Sequence, residues 1–502
     1  MITVSDSWKD IQQRFLLPET HIEIECTITE TAVQDTATLT GTNEAFISNT
    51  FSAKDDDPKT VKYATNELNF WSLDGSRVIA PDTAPYASIG YVSDIDSVGS
   101  VTISLPEIHA STTSGVTITW GGRYDEYPTT FEIIARNGEE TVVYRKVEGN
   151  TSQVTAVFEQ LQNYDSIEIN VVEWGLPYRR VRIENVVIGH ILTFGKKDIF
   201  SFTHEQTGHL NTGEIPKNSI EFTLDNTDGR WDPTGMSQYL SERQKLIVRY
   251  GLDVNGTVEW IKAGTFYLSE WRVPSNGLEA SFAARDIFEY LLNETYMGRK
   301  TGTLYEIAVD AFGSADVPDD FHYVLSDALR NYTASIPEGE RTCAEILQMC
   351  ASAACCVMYQ NREGELHIER LDRTKTDYVI PLSLSYSQPE IELSKPLKNV
   401  SVSHGTDNPY LLSVSDSGET QTVNNPLVSS QYREVATWVR DTLTTRKTLS
   451  GEYRSDPRLD VFDMVTVQSK YGDIINVAIT GIKYSYGGSF RGTYTGRVLE
   501  EV

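Results

Sequence analysis

His204-Glu-Gln-Thr-Gly-His209 has the residue types of a zinc-protease helix. Such a helix carries both imidazoles to one metal when they stand four residues apart around a glutamate. Here the second histidine stands five residues on, off the shared face, and Gly208 weakens any helix. A phosphate loop over Gly189 to Lys197 also fails. Five residues separate Gly189 from Gly195, and Lys197 occupies the place of the Ser or Thr that would reach a metal ion. The acidic turn Asp225-Asn-Thr-Asp-Gly229 does not make an EF-hand, because Thr227 falls at a ligand position and no Glu stands at the twelfth. That leaves an irregular Ca²⁺ site open there and otherwise predicts no cofactor. The eight histidines are scattered, and no Gly-x-Ser-x-Gly elbow is present. With 71 acidic residues, neighbouring carboxylates carry no information. Nothing here predicts an enzyme.

Sugar binding is the chemistry left to consider. It needs an aromatic face for the pyranose C–H surface and Arg, Asp or Asn forks for hydroxyls. Arg123, Tyr124 and Tyr127 form one candidate loop, with Trp174 and Tyr178 near the other end of the same strand-rich region. The competing reading packs these aromatics inside the fold or against a neighbouring subunit.

The elements that must position these residues are mostly strands. A short helix is predicted in Met1 to Leu17, with Ser5 or Asp6 as N-cap, Trp8, Ile11, Phe15 and Leu16 at helical spacing, and Pro18 beyond its end. Ile22, Ile24, Cys26 and Ile28 then alternate with polar residues as a half-buried strand. The polar stretch from Thr29 to Thr65 reads as loops with short strands. Between about 64 and 190, Val101–Leu105, Val116–Trp120, Phe131–Ile134, Val142–Tyr144, Val154–Phe158, Ile167–Ile169 and Val181–Ile183 are separated by turn residues, the pattern of a β-sandwich. A second strand-rich region, 191–300, contains the hairpin signal Asp253-Val-Asn-Gly256 and the strand Ile220 to Leu224 that breaks at Asp225, Asn226, Asp228 and Gly229, with Pro233 closing the turn. Ile22–Ile28 is expected in this sheet, which makes the sandwich an insertion. Residues 301–372 read as a small α+β unit: helices near Leu304–Ala311 and Thr342–Ala351, then two strands joined across Asn361–Gly364. Residues 373–502 return to strands around one helix with Val435, Trp438, Val439 and Leu443 on a face, and end in a hairpin turning at Gly487–Gly488.

The formal net charge is −28, and an acidic surface repels phosphate backbones and anionic leaflets. Sequence-specific nucleic-acid binding and a membrane anchor are therefore not expected, and no segment approaches 18 consecutive apolar residues. Met1 to Leu17 lacks the apolar core of a signal peptide, which predicts synthesis in a bacterial cytoplasm. The five cysteines, Cys26, Cys343, Cys350, Cys355 and Cys356, are odd in number and sit among apolar residues, which predicts inert packing and no disulfide framework.

Two sets of residues carry family resemblances. Phe222-Thr-Leu-Asp-Asn-Thr-Asp-Gly-Arg-Trp-Asp-Pro233, Gly264-Thr-Phe-Tyr-Leu268, the helix at Val435–Leu443 and the stretch Tyr453–Gln468 with Asp456, Pro457 and Asp463 resemble the tail hub, or tail-tip, proteins of phages and prophages of Gram-positive bacteria. Asn69-Phe-Trp-Ser-Leu-Asp-Gly-Ser76 and Arg180-Val-Arg-Ile-Glu-Asn-Val-Val-Ile-Gly189 resemble the discoidin-like, galactose-binding jelly roll. The hub resemblance implies a mainly β chain with two tube-like β-barrel domains. The regions would be 1–63 (helix and first barrel strands), 64–190 (inserted jelly-roll β-sandwich), 191–300 (first barrel), 301–372 (α+β) and 373–502 (second barrel). It implies a homotrimer in the virion tail tip or baseplate, lining the DNA channel. Its partners there would be tail tube, distal tail, tape measure, and tip fibre or lysin proteins. The sandwich implies the alternative of a host-adsorbing adhesin that binds cell-wall glycan.

Overall fold

The computed structural model describes residues 1–14, 19–29, 33, 36–42, 67, 86–88, 99–110, 113–121, 126–211, 213–232, 237, 240–273, 277–318, 320–374, 378–404, 408–454, 456–469 and 474–498. The fold is mainly β, with few helices. Two compact units divide the chain: Cys26–Leu192 forms one, and Met1–Glu25 with Thr193–Val502 forms the other.

The inserted unit is a β-sandwich. One sheet runs in the order Thr38–Gly41, Ser100–His109, Tyr164–Trp174, Pro128–Asn137, Glu140–Glu148. The other carries Arg182 onward between Tyr86–Ala87 and Thr113–Trp120, with Val154–Leu161 beyond. Alternate residues of both sheets meet in one core, including Val101, Ile103, Phe131, Ile133, Ile167 and Ile169 from the first and Val116, Ile118, Ile183, Val186 and Ile188 from the second. A register shift between Ile183 and Asn185 changes the parity of that strand, so Ile183, Val186 and Ile188 all face inward. Trp120 lies at the centre, edge-on to Phe131 at 5.0 Å and Trp174 at 6.2 Å, and its indole N–H donates to Thr155 Oγ1 at 2.9 Å. The unit begins well before the predicted boundary at 64. Thr38–Gly41 pairs with Val101–Ser104, so this polar segment extends the sandwich sheet and adds nothing to the barrel. The Asn69–Ser76 motif lies outside the described residues.

In the other unit one sheet crosses the two regions predicted as separate barrels. Its order is Glu390–Leu393, Lys447–Tyr453, Phe490–Val498, Ile474–Tyr486, Ile199–Thr207, Lys217–Asp225, Glu279–Arg285, Thr257–Arg272, Lys245–Val254 and Thr20–Thr29. The join is made by Ile199–Thr207 against Ile474–Tyr486, with Phe202 opposite Tyr486 and His204 opposite Tyr484. Buried rings hold this join: Tyr250 stands edge-on to Tyr484 at 5.8 Å and to Phe490 at 4.9 Å. The hairpin at Asp253–Gly256 forms as the dipeptide predicts, since Asn255 (φ 56°) and Gly256 (φ 88°) both take the left-handed region a type I′ turn requires.

The helices gather in a second core. Leu304–Ser314 and Cys343–Ala353 each start on a capping box, Thr303 with Glu306 and Thr342 with Glu345, which satisfies backbone donors of the first turn. This core also takes Val435, Ala436 and Val439 of the helix Tyr432–Leu443 and Val400 and Val402 of a three-stranded sheet. The α+β part is therefore larger than 301–372, and the helix predicted to belong to the second barrel packs here. Its narrow apolar stripe meets the small, close-packing Ala and Cys side chains of Cys343–Ala353. All five cysteines are buried free thiols, and burial raises Cys26 and Cys355 to about 12 and Cys343 and Cys356 to about 11. None is available as a thiolate near neutrality.

Candidate functional site

The sandwich aromatics do not converge on one platform. Arg123 and Tyr124 lie outside the described residues. Tyr127 is half-buried against the sandwich core, and its carbonyl accepts from the Gly175 amide at 3.0 Å. Trp174 is only 5% exposed, and its indole N–H donates to Glu126 Oε2 at 3.2 Å. It is a core residue. Tyr178, 57% exposed and in the left-handed region at φ 55°, is the one described candidate that presents an open ring. The residues that follow it in the chain make two buried ion pairs, Arg179 with Glu126 and Arg182 with Glu67, the second bidentate at 2.7 and 2.8 Å. Removing one partner of such a pair strands a buried charge at a cost of about 3–5 kcal/mol. Of these two arginines, Arg182 belongs to the Arg180-Val-Arg182 alternation of the sequence motif, and Arg179 stands just before it. Their glutamates, 53 and 115 residues away, had no local signal.

The turn after Leu224 is held by its own side chains. Asn226 is buried. Its Oδ1 accepts from the Trp231 amide at 2.8 Å, and its Nδ2 donates to Gly277 O at 3.1 Å and Asp232 Oδ1 at 3.2 Å. Asp225 Oδ1 accepts from the Thr227 amide at 2.9 Å and Asp228 Oδ1 from the Arg230 amide at 3.1 Å. The Arg230 amide and guanidinium together hold Asp228 below the usual carboxylate range. Gly229 sits at φ +70°, where a side chain is strained. Trp231, fully buried, stands edge-on to Phe282 at 5.0 Å, which anchors the corner to the sheet. Pro233 lies outside the described residues.

The second flagged stretch is a corner of the same kind, tied to a distant hairpin. Asp456 is buried and its carboxylate takes the Arg458 amide at 3.1 Å and Nε at 2.9 Å. Arg362, at the tip of the Asn361–Gly364 turn, donates to Pro457 O and Leu459 O at 2.6 Å each and to Asp460 Oδ2 at 3.3 Å. Tyr484 OH lies 3.0 Å from Asp456 O and 2.9 Å from Leu459 O and shares its single proton between the two carbonyls. Asp463 accepts from the Asp460 amide at 2.8 Å and pairs with the amine of Met1; its burial raises its carboxyl above the ordinary value. Arg362 carried no signal in the sequence, because its partners lie 95 to 98 residues downstream.

His204 lies on the strand Ile199–Thr207, not on a helix. Tyr250 OH bonds to its Nδ1 at 2.7 Å and its Nε2 meets Asn218 Oδ1 at 2.8 Å, an arrangement satisfied by the neutral Nε2–H tautomer. Burial lowers it to about 4. Asn218 continues to the carboxyl of Asp286, which burial raises to about 8. His209 lies apart, facing Glu214 at 3.7 Å. Among the described residues no group of three or more His, Cys, Asp or Glu is disposed to hold a metal, and no helix is long and apolar enough to cross a membrane.

No family model matches the chain, and no curated protein matches it. Among solved structures the chain is similar to the prophage MuSo2 tail protein from Shewanella oneidensis, at 14% identity over 61% of this chain and 95% of that one, with a TM-score of 0.44. It is similar to the tail protein from Neisseria meningitidis MC58, at 12% identity over 62% and 93%, with a TM-score of 0.44. It is also similar to the prophage tail protein gp18 from Listeria monocytogenes EGD-e, at 12% identity over 61% and 91%, with a TM-score of 0.42.

Proposed function

We propose that the chain is a structural component of a phage tail, a hub that joins the tail tube to the host-facing tip as a homotrimer and lines the DNA channel. The observation that carries this reading is the agreement between motif and architecture. Two of the stretches that resemble hub proteins, Phe222–Pro233 and Tyr453–Gln468, contain corners at the ends of strands in one continuous sheet, Asp225–Trp231 and Asp456–Asp463, whose polar side chains bond largely to nearby backbone. Residues used in this way set geometry and leave no reactive group, which suits a scaffold and not a catalyst. A net charge of −28 suits a wall along which DNA must pass without sticking.

The adhesin alternative rests on the sandwich, and burial of Trp174 removes one of its two aromatic anchors at that end. Native mass spectrometry of the full chain tests the assembly: a trimer supports the hub, and a monomer at micromolar concentration counts against it.

A further inference from the structure

Two hairpins of this chain turn at the same dipeptide, Asn137-Gly138 in the sandwich and Asn255-Gly256 in the long sheet of the other unit. Asn–Gly is chemically fragile, because glycine has no side chain to keep its amide nitrogen away from the asparagine carboxamide. That nitrogen can attack Cγ: an N–Cγ bond forms, the Cγ–Nδ2 bond breaks, and ammonia leaves with the amide proton. Water then opens the succinimide to aspartate or isoaspartate. Isoaspartate puts an extra methylene into the main chain of a turn whose length fixes the strand register. Both tips are open: Gly138, Asn255 and Gly256 are exposed, and a Cβ added at either glycine would meet nothing within 4 Å. Crowding therefore protects neither turn, and protection has to act on the attacking nitrogen itself.

In both turns a carboxylate holds that nitrogen. The Gly256 amide donates to Asp253 Oδ1 at 2.8 Å, and the Gly138 amide donates to Asp165 Oδ2 at 2.8 Å. The two carboxylates arrive by different routes. Asp253 lies on the strand that enters its own hairpin, Lys245–Val254. Asp165 comes from the neighbouring strand Tyr164–Trp174, and its other oxygen takes Ser166 Oγ at 3.0 Å. The turns differ too. Asn255 and Gly256 are both left-handed, whereas in the other hairpin Gly138 is left-handed (φ 59°) and Asn137 ends the strand Pro128–Asn137. One restraint thus recurs on two unlike turns. To attack, the nitrogen must leave this charge-assisted bond and lose its proton, and a negative charge in contact with it opposes that loss. A carboxylate is too weak a base to take the proton itself. We propose that Asn137 and Asn255 are latent deamidation sites, kept intact by Asp165 and Asp253, which occupy the amides that would attack, whatever the chain's place in a tail.

The test is peptide mapping by mass spectrometry of the full chain incubated in mildly alkaline buffer, with synthetic peptides spanning residues 134–141 and 252–259 as the unfolded reference. The folded chain should deamidate at Asn137 and Asn255 about tenfold more slowly than the peptides, the factor that one hydrogen bond to a charged group supplies. Asp253→Ala should raise the rate at Asn255 about tenfold and leave Asn137 unchanged, and Asp165→Ala should do the reverse. Asp165 lies outside the hairpin it restrains, so Asp165→Ala carries the test if hydrogen exchange shows that Asp253→Ala loosens residues 245–268. Equal rates in chain and peptides would overturn the proposal. So would an unchanged rate at Asn137 in Asp165→Ala, or a variant that speeds both sites alike, which reports general unfolding and not the loss of one acceptor.

Discussion

Replacing Arg362 by methionine removes the cross-link between the Asn361–Gly364 hairpin and the Asp456–Asp463 corner while keeping most of the apolar stem. The guanidinium is nearly fully buried and serves Pro457 O, Leu459 O and Asp460. Each hydrogen bond to a charged group contributes about 1.5–3 kcal/mol, and a buried acceptor left unpaired costs about 1–3 kcal/mol. Asp460 loses its counter-charge but remains partly exposed, and relief of the arginine's own desolvation offsets some of the loss. The net destabilisation is about 3–5 kcal/mol. It should be local first, because these bonds fix the carbonyls of Pro457 and Leu459 within the corner whose own amides, Leu459 to Asp456 O and Asp463 to Asp460 O, depend on its backbone staying in place. Hydrogen exchange read by mass spectrometry is the assay, with Arg230→Met as control, since Arg230 pairs with Asp228 on an exposed turn worth about 0–1 kcal/mol. Protection of residues 456–463 should fall by two or more orders of magnitude in Arg362→Met and stay unchanged in the control. Equal protection in both variants would refute the claim that Arg362 holds this corner.

Asn226→Ala should cost about 2–3 kcal/mol in urea unfolding through its three lost bonds, and Asn226→Asp at least as much because it turns an acceptor toward Gly277 O. Gly229→Ala, forced into φ +70°, should cost about 1–2 kcal/mol by the same measurement. Trp174→Ala should cost about 3–5 kcal/mol as a core deletion, while Tyr178→Ala leaves melting unchanged; equal effects would contradict the burial described. His204 and Asp286 give a pH profile whose signs follow from linkage. His204, lowered to about 4, contributes stability that is lost as pH falls from 6.5, and Asp286, raised to about 8, contributes stability that is lost as pH rises from 3.8 through 8. Between pH 4 and 6.5 the two oppose each other. From 6.5 to 8 Asp286 acts alone, lowering stability by about 2 kcal/mol. Asp286→Asn should flatten that limb in pH-dependent thermal melts, and an unchanged slope would show the carboxyl is not protonated in the fold.

Strands, helices and turns were legible because their causes are local. The Asn255–Gly256 hairpin, the caps at Thr303 and Thr342, and the alternation of Val101 and Ile103 each need only neighbouring residues. What sequence could not supply was pairing at a distance. The join of Ile199–Thr207 to Ile474–Tyr486, and the partners of Arg362 and Arg182, depend on contacts more than 90 residues apart. The candidate aromatics misled for a related reason. Trp174 ends a strand where a loop was expected to display it, and a tryptophan at a strand end reads alike whether it faces the core or the solvent.

Electron cryomicroscopy of tails containing this chain tests the hub assignment most directly. The account predicts three copies around the tail axis between tube and tip, with Asp and Glu outnumbering Lys and Arg on the channel wall. A chain absent from the tail, placed off the axis, or lining the channel with neutral or basic residues would contradict it.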